Sequence, residues 1–354
     1  MANRSLSAVL AFMCIHFSLS VFVYPEFILR STQQAHWEVV LFGSLVELFF
    51  MWILLKGLRV FPNQDMIDIL SNRGAGWTWL VLVPFGLYLL IAFSNLTRSF
   101  AELITIVFLP DTPIWALVFP FISIPLYASL KGMGVILRAG TLVAFICIPV
   151  VLLSLLGCIP NFQLHNAAPA WDPSFSFIRR PDTYTGFGTF MGFTLIGLFP
   201  AAAPIKTKWF YGAWGVVMLF NLYFVYMPLF IYGQENSTQL PFPVIVSMDT
   251  VEIPWLAFDR LTVFYVVASM MFAFLLFAIN IHAIAKIGTR VLPRLKLGPM
   301  SWAVAAFAFC MAVSLKGWFY IEQSAWLLNP IRFYCLFVLP LSVYWVSRRK
   351  KVPA

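Results

Sequence analysis

The chain has 354 residues, 61% of them hydrophobic and only 10% charged, with a mean hydropathy of +0.88. That composition excludes a soluble enzyme and places the protein in a bilayer. The formal charge of +9, from 23 Lys and Arg against 14 Asp and Glu, belongs in so apolar a chain to basic loops that anchor spans, not to nucleic-acid binding.

A transmembrane helix needs about 20 mostly apolar residues. Runs of that kind, cut at charge, proline and glycine clusters, predict an all-α integral membrane protein: one transmembrane domain over 1–354 with ten spans. They lie at approximately 6–28, 37–58, 79–108, 113–130, 135–156, 186–199, 209–232, 261–285, 300–315 and 330–347. The first run is too long for a signal-peptide core and lacks a small-residue cleavage site, so it is expected to be retained. Between spans two and three, Met66, Ile67 and Leu70 share one helical face and Asp65 and Asp68 another, which suits a short interfacial helix. Between spans seven and eight, Val244, Ile245, Met248 and Val251 fall at helical spacing among Pro241, Pro243 and Pro254. One or two short helices, or a loop packed on the bundle, would give that pattern.

With the N-terminus inside, the inner segments hold sixteen cations, at Arg4, Lys56, Arg59, Arg73, Lys131, Arg138, Lys206, Lys208, Lys286, Arg290, Arg294, Lys296 and residues 348–351. The outer segments hold six: Arg30, Arg179, Arg180, Arg260, Lys316 and Arg332; Lys56, Arg138 and Arg332 sit at the very ends of spans and are counted with the adjoining segments, and Arg98 alone falls deep within a span. The excess predicts both termini in the cytoplasm.

Ten spans divide into two sets of five, repeat one at about 5–156 and repeat two at about 186–347. An odd-numbered repeat forces its second copy to cross the membrane the other way, which is the five-plus-five inverted repeat of LeuT-type transporters. In that architecture the first helix of each repeat is broken at the midplane. Repeat two opens on Gly186, Gly188, Gly192 and Gly197 and closes on Pro200 and Pro204, so an interruption is expected there. Close helix packing through the Gly188 and Gly192 pair is the other use of such glycines. In the first span, Ser18 and Ser20 precede Pro25 and permit a bend.

Ionisable groups within spans are costly and are functional candidates by default. His16 and Glu47 lie at the middles of spans one and two, either as proton-binding groups or as an interhelical strut with Glu47 protonated. Asn95, Arg98, Ser99 and Glu102 form one polar stripe on span three, with Arg98 and Glu102 as an i, i+4 pair. Asn221, Asn280 and His282 suit interhelical hydrogen bonding. Nothing points to catalysis, to a cofactor or to a metal: His16, His36, His165 and His282 are scattered, and Cys14, Cys147, Cys158, Cys310 and Cys335 show no ligand spacing.

Two strings are specific. Leu109-Pro110-Asp111-Thr112-Pro113, with Glu102 before it and Gly132, Gly134 and Arg138 after it, is one; Leu240-Pro241-Phe242-Pro243, then Val251-Glu252-Ile253 and Phe258-Asp259-Arg260, is the other. In these the chain resembles, over essentially its whole length, the B-subunit permeases of bacterial spore germinant receptors, within the amino acid, polyamine and organocation transporter superfamily. The resemblance implies a germinant sensor in the spore inner membrane, with A-type and C-type partner subunits and a small nutrient ligand such as an amino acid. A proton-coupled amino acid transporter of the same superfamily is the alternative, with His16 and Glu47 as coupling groups. Carried onto this chain, the superfamily's unwound glycine motif of span one falls on Ser18-Leu19-Ser20, and the glycine of the span six break on Gly192-Phe193-Thr194. Serines in place of both glycines deny a ligand carboxylate the closest backbone approach at span one. The ligand is accordingly expected at mid-membrane among Ser18, Ser20, Phe22, Asn95, Gly192, Phe193, Thr194, Tyr265 and Ser269, with a bulky side chain at Gly192 raising the concentration needed for response.

Overall fold

The computed structural model describes residues 2–21, 23–167, 169, 171–199, 207–251 and 261–349, and every regular element among them is helical. Helices are what the apolar runs dictate, because each satisfies its own backbone hydrogen bonds without water. In order they are α1 (Ala2–Ser20), α2 (Val23–Ser31), α3 (His36–Leu58), α4 (Met66–Ser71) and α5 (Ala75–Trp77), which passes through a π-helical turn (Thr78–Leu82) into α6 (Val83–Val107). Next come α7 (Ile114–Leu130), α8 (Met133–Gly157), short 3₁₀ turns, α9 (Pro181–Gly186) and a 3₁₀ segment (Thr189–Leu198). The chain continues through α10 (Thr207–Ser237), α11 (Pro243–Met248), α12 (Leu261–Val291), α13 (Leu297–Ser314), α14 (Trp318–Leu327) and α15 (Asn329–Arg349).

The axial helix is α1. It packs on α8, α10, α12 and the 3₁₀ segment, and Ala11, Phe12, Cys14, Ile15 and His16 are wholly buried. Around it, α12 packs on α6, α7, α8 and α13, while α3 packs on α10, α15 and the 3₁₀ segment. Residues turned outward are as apolar as the interior: Trp79, Leu142, Phe145, Leu153, Trp302 and Phe307 are exposed, as helices in lipid require.

The predicted count of ten spans is not confirmed by the helices. Among the described residues seven are long and apolar enough to cross a membrane, and eight if α1 and α2, bent by 59° at their junction, are one span. At 17 residues α7 is shorter, and the sixth predicted span is a six-residue helix followed by a ten-residue 3₁₀ segment. The glycines there leave the backbone without the side chains that favour an α-helix. The sequence also gave no warning of α14 ahead of the tenth span, since Glu322 and Gln323 interrupt the apolar run.

One end of the bundle is basic. Lys56 lies over the Trp52 and Tyr344 rings, Lys131 over Tyr127 and Arg349 over Trp345. On this face sits α4, the predicted interfacial helix, with Met66, Ile67, Ile69 and Leu70 buried and Asp65 accepting the Asp68 N–H as its N-cap. Of the predicted 240–258 helices, α11 is present with Val244, Ile245 and Met248 buried; residues 252–258 lie outside the described residues.

Candidate functional site

Two polar constellations lie where broken helices meet. At the core, His16 Nε2 of α1 approaches Glu47 Oε1 of α3 to 2.7 Å, with the side chains 0% and 1% exposed. The approach is off the line of a regular hydrogen bond, while His16 Nδ1 lies 2.9 Å from the Phe12 carbonyl. Since that carbonyl only accepts, Nδ1 carries the proton it receives. The pair then exists either as neutral imidazole with a protonated carboxyl or as imidazolium with carboxylate. Chemically it is two proton-binding groups in close approach, shielded from water. Gly192 completes it: a Cβ there would stand 2.7 Å from His16 Cε1 and Nε2. Its φ is unexceptional, so glycine serves close approach of the ring here, and a bulky side chain at 192 would displace His16 before reaching any ligand.

The second constellation is a cleft of about 100 Å³. Leu19 of α1 and Tyr24 and Phe27 of α2 form one wall, and Tyr88, Asn95 and Ser99 of α6 another. Thr185 of α9, Gly188 and Thr189 close a third side, and Ile321 of α14, Leu328 and Arg332 of α15 the fourth. The ends of the helices place it there. The α1–α2 bend follows Ser20, the α9 break falls at Phe187 and Gly188, and α14 gives way to α15 at Leu328. Three helix interruptions meet, and Thr189 Oγ1 donates to the Leu19 carbonyl at 3.3 Å across two of them.

Of the predicted ligand residues, Asn95 lines this cleft, its Nδ2 donating to Ser324 Oγ at 2.8 Å. Phe22 lies outside the described residues. Ser18 and Ser20 flank Leu19 but do not line the cleft; Ser20 Oγ is 2.6 Å from Asn221 Oδ1 and 2.7 Å from the His16 carbonyl, and its one hydrogen serves one of them at a time. Phe193 is wholly buried, and Thr194 Oγ1 is satisfied by the Met191 carbonyl at 2.7 Å. Tyr265 and Ser269 are buried on α12, both hydroxyls without a regular partner. Arg98 Nε donates to Glu102 Oε1 at 3.0 Å and its NH1 reaches the Ala312 carbonyl at 3.4 Å, so the predicted pair also ties α6 to α13.

Arg332, expected in an outer loop, stands inside α15 and is 5% exposed. The signal was available: it falls two residues into the apolar run that begins at Pro330, where a charge is a functional candidate. Tyr24, Tyr88 and Thr189 carried no such signal.

Charged pairs close both ends. Arg30 of α2 pairs with Glu26 at 2.6 Å and with Glu322 of α14 at 3.0 Å, joining two walls of the cleft. At the basic face, Lys286 of α12 bonds Asp65 and, at 2.8 Å, Asp68 of the α4 turn, and Arg290 bonds Asp68 at 2.6 Å. Burial raises the Asp65 carboxyl above its ordinary range against the pull of Lys286. For Asp68 burial acts the same way, but Lys286 and Arg290 together outweigh it and hold the carboxyl low.

Three comparisons bear on this geometry. The family model described as "Spore germination protein" matches residues 5–316. Spore germination protein YndE of Bacillus subtilis (strain 168) is 22% identical over 338 residues, 94% of this chain and 92% of that one. Among solved structures, the nucleobase-cation-symport-1 family transporter Mhp1, closed on bromovinylhydantoin, superposes with a TM-score of 0.66 at 11% identity, over 97% of this chain and 79% of that one. The structure of MhsT in complex with L-phenylalanine does so with a TM-score of 0.59 at 10% identity, over 96% and 97%.

Proposed function

The chain belongs to the spore germination protein family, with the all-helical fold of LeuT-type transporters, and from that premise we propose that it is the B-type membrane subunit of a spore germinant receptor. Its relatives are permeases and transporters, and no catalytic step is assigned to it. It sits in the spore inner membrane with both termini cytoplasmic, built as two inverted repeats at about 5–156 and 186–347, and works with A-type and C-type partner subunits. The observation that carries the reading is the cleft at the meeting of three helix interruptions, bridged by Arg30 and Glu322, which is where such folds bind small solutes. A small nutrient of amino-acid size, as L-phenylalanine is for MhsT, favours the arrangement in which α2 and α14 close over it. Partner subunits read that shift in population.

The test has two parts. In proteoliposomes, a receptor subunit binds labelled amino acids without accumulating them; accumulation against a gradient would give the chain to transport instead. In spores, Ala92→Phe, which fills the cleft from α6, raises the nutrient concentration needed for loss of refractility while the protein stays abundant. Unchanged sensitivity would move the site elsewhere.

One observation favours the second reading, a proton-coupled amino acid transporter. His16 and Glu47 are buried with Nε2 and Oε1 2.7 Å apart, and a proton-coupling site requires buried proton-binding groups in such proximity. Uptake that collapses in Glu47→Gln and when the proton gradient is abolished would decide for it.

A further inference from the structure

Among the described residues, Arg332 is a buried cation without a counter-charge. The two hydrogens of its NH1 are shared among three acceptors, the carbonyls of Tyr184 at 3.2 Å and Thr185 at 3.0 Å and Asn329 Oδ1, and its NH2 donates to the Ala325 carbonyl at 3.3 Å. Every one of these acceptors is neutral. No carboxylate is among the residues lining the cleft, and Glu26 and Glu322, on the helices that wall it, are engaged with Arg30. A guanidinium does not lose its proton to escape this situation, and carbonyl dipoles alone do not replace the anion that a charge at membrane depth demands.

The unused part of the guanidinium is one edge. The Tyr88 hydroxyl is within hydrogen-bonding reach of the guanidinium, yet among the described residues no acceptor is in line with the Nε–H, and Ala325 occupies one of the two NH2 hydrogens. Side by side, the Nε–H and the other NH2 hydrogen make the fork that fits the two oxygens of a carboxylate. The approach to that edge is kept open by Gly188, where a Cβ would stand 3.4 Å from NH2 and 3.5 Å from Cζ. On another wall of the cleft, Tyr24 is 1% exposed and its hydroxyl has no hydrogen-bond partner among the described residues, a second buried donor. Two donors, one carrying an uncompensated charge, thus meet one small space whose remaining walls include Leu19, Phe27, Ile321 and Leu328.

We propose that Arg332, assisted by Tyr24, anchors the carboxylate of a small apolar monocarboxylate in this cleft. The inference rests on the small-nutrient reading above and sharpens it. The anchor lies on α15 instead of on the interrupted first helix, where Ser18 and Ser20 occupy the places that backbone approach needs. It also sets a specificity rule. With no acid in the lining, an amino group on the ligand meets only neutral acceptors such as Asn95 Oδ1, so the carboxylate is required and the amine is dispensable.

The full chain in lipid nanodiscs is titrated with L-alanine and L-valine, their carboxamides, and the amine-free acids propionate and isovalerate, with D-glucose and inosine as neutral nutrients. Affinity is read from ligand-induced thermal stabilisation. At least one acid is expected to bind ten-fold or more tightly than its amide and within about three-fold of its amine-free analogue. Arg332→Gln brings the acid-to-amide ratio near one, Arg332→Lys restores part of it, and Tyr24→Phe and Gly188→Ala weaken the acid several-fold. A lower melting temperature in Arg332→Gln with the acid-to-amide ratio unchanged would make Arg332 a strut for the end of α9 and overturn the anchor. Should Arg332→Gln fail to fold, wild-type affinity for the acids in both Tyr24→Phe and Gly188→Ala would overturn it equally. If glucose or inosine binds and no acid does, the anchor falls and the small-nutrient reading stands; if nothing in the panel binds, both fall.

Discussion

Adding one methyl group at Gly192 should cost stability only while His16 is present. A Cβ at 192 would stand 2.7 Å from two atoms of the imidazole and 3.1 Å from a third. The ring has nowhere to go, since its Nδ1 is held 2.9 Å from the Phe12 carbonyl, its Nε2 faces Glu47 at 2.7 Å and its face lies 4.3 Å from the Phe12 ring centroid. Overpacking of this kind costs about 1–3 kcal/mol. In a His16→Ala/Glu47→Gln background the obstacle is gone and no orphaned carboxylate is left. There Gly192→Ala should be neutral or stabilising by up to about 1 kcal/mol, because alanine orders a helical backbone at lower entropic cost than glycine. Unfolding of the purified protein, followed by fluorescence of its tryptophans with and without each change, gives the coupling. An equal penalty in both backgrounds, within about 0.5 kcal/mol, would refute the claim that Gly192 exists to seat His16.

Arg98→Ala leaves Glu102 half-buried and unpaired and should cost about 2–3 kcal/mol, less than a fully buried pair because Glu102 reaches some solvent; the Arg98→Ala/Glu102→Ala protein should recover much of that, and a double variant less abundant in the membrane than Arg98→Ala would show the two uncoupled. The basic-face cluster gives opposite pH dependences. Asp68, held low, stabilises above the ordinary carboxylate range and loses this as pH falls, whereas Asp65, raised by burial, makes stability decline as pH rises from the ordinary range to its own. Melting temperature against pH should therefore lose its acid-side fall in Asp68→Asn and its decline on the other side in Asp65→Asn, and the same profile in both variants would contradict the assignment. For topology, in a background with Cys14, Cys147, Cys158, Cys310 and Cys335 removed, Ser174→Cys should react with an impermeant thiol reagent from outside and Arg294→Cys only from the cytoplasm; the reverse pattern would invert the orientation.

How far the sequence could be read depended on the range of the interaction. Local patterns carried well: the apolar face beside Asp65 became α4, Val244, Ile245 and Met248 became the buried side of α11, and the i, i+4 spacing of Arg98 and Glu102 became an ion pair. The strings around Leu109-Pro110-Asp111 and Leu240-Pro241 pointed to the family that the match over 5–316 shows. Long-range partners were silent. His16 and Glu47 stood out as costly residues, but their separation along the chain hides that they touch, and nothing local ties Gly192 to an imidazole. Arg332 was counted with the outer segments although it lies two residues inside the tenth predicted span, and α15 begins at Asn329. The bend after Ser20 lacks a glycine or proline at the break itself; Ser20 Oγ lies 2.7 Å from the His16 carbonyl, the i−4 back-bond through which a serine bends a helix.

Beside the 31-residue α12, α7 has 17 residues and contains Pro120 and Pro125. At 1.5 Å per residue it is roughly 26 Å long, against a hydrocarbon slab of about 30 Å. Trp115, Phe119, Ile124 and Tyr127 face the lipid along it. Acyl chains around α7 must therefore compress by several ångströms, at a fraction of a kcal/mol per ångström, so the protein carries a preferred membrane thickness on this flank. Thickening the bilayer with longer or more ordered chains loads α7 against α12 and α13, the helices it packs on. The physical state of the surrounding lipid thus enters the energy of the bundle as an input separate from any dissolved molecule, and reconstitution in lipids of graded chain length would display it as a shift in stability.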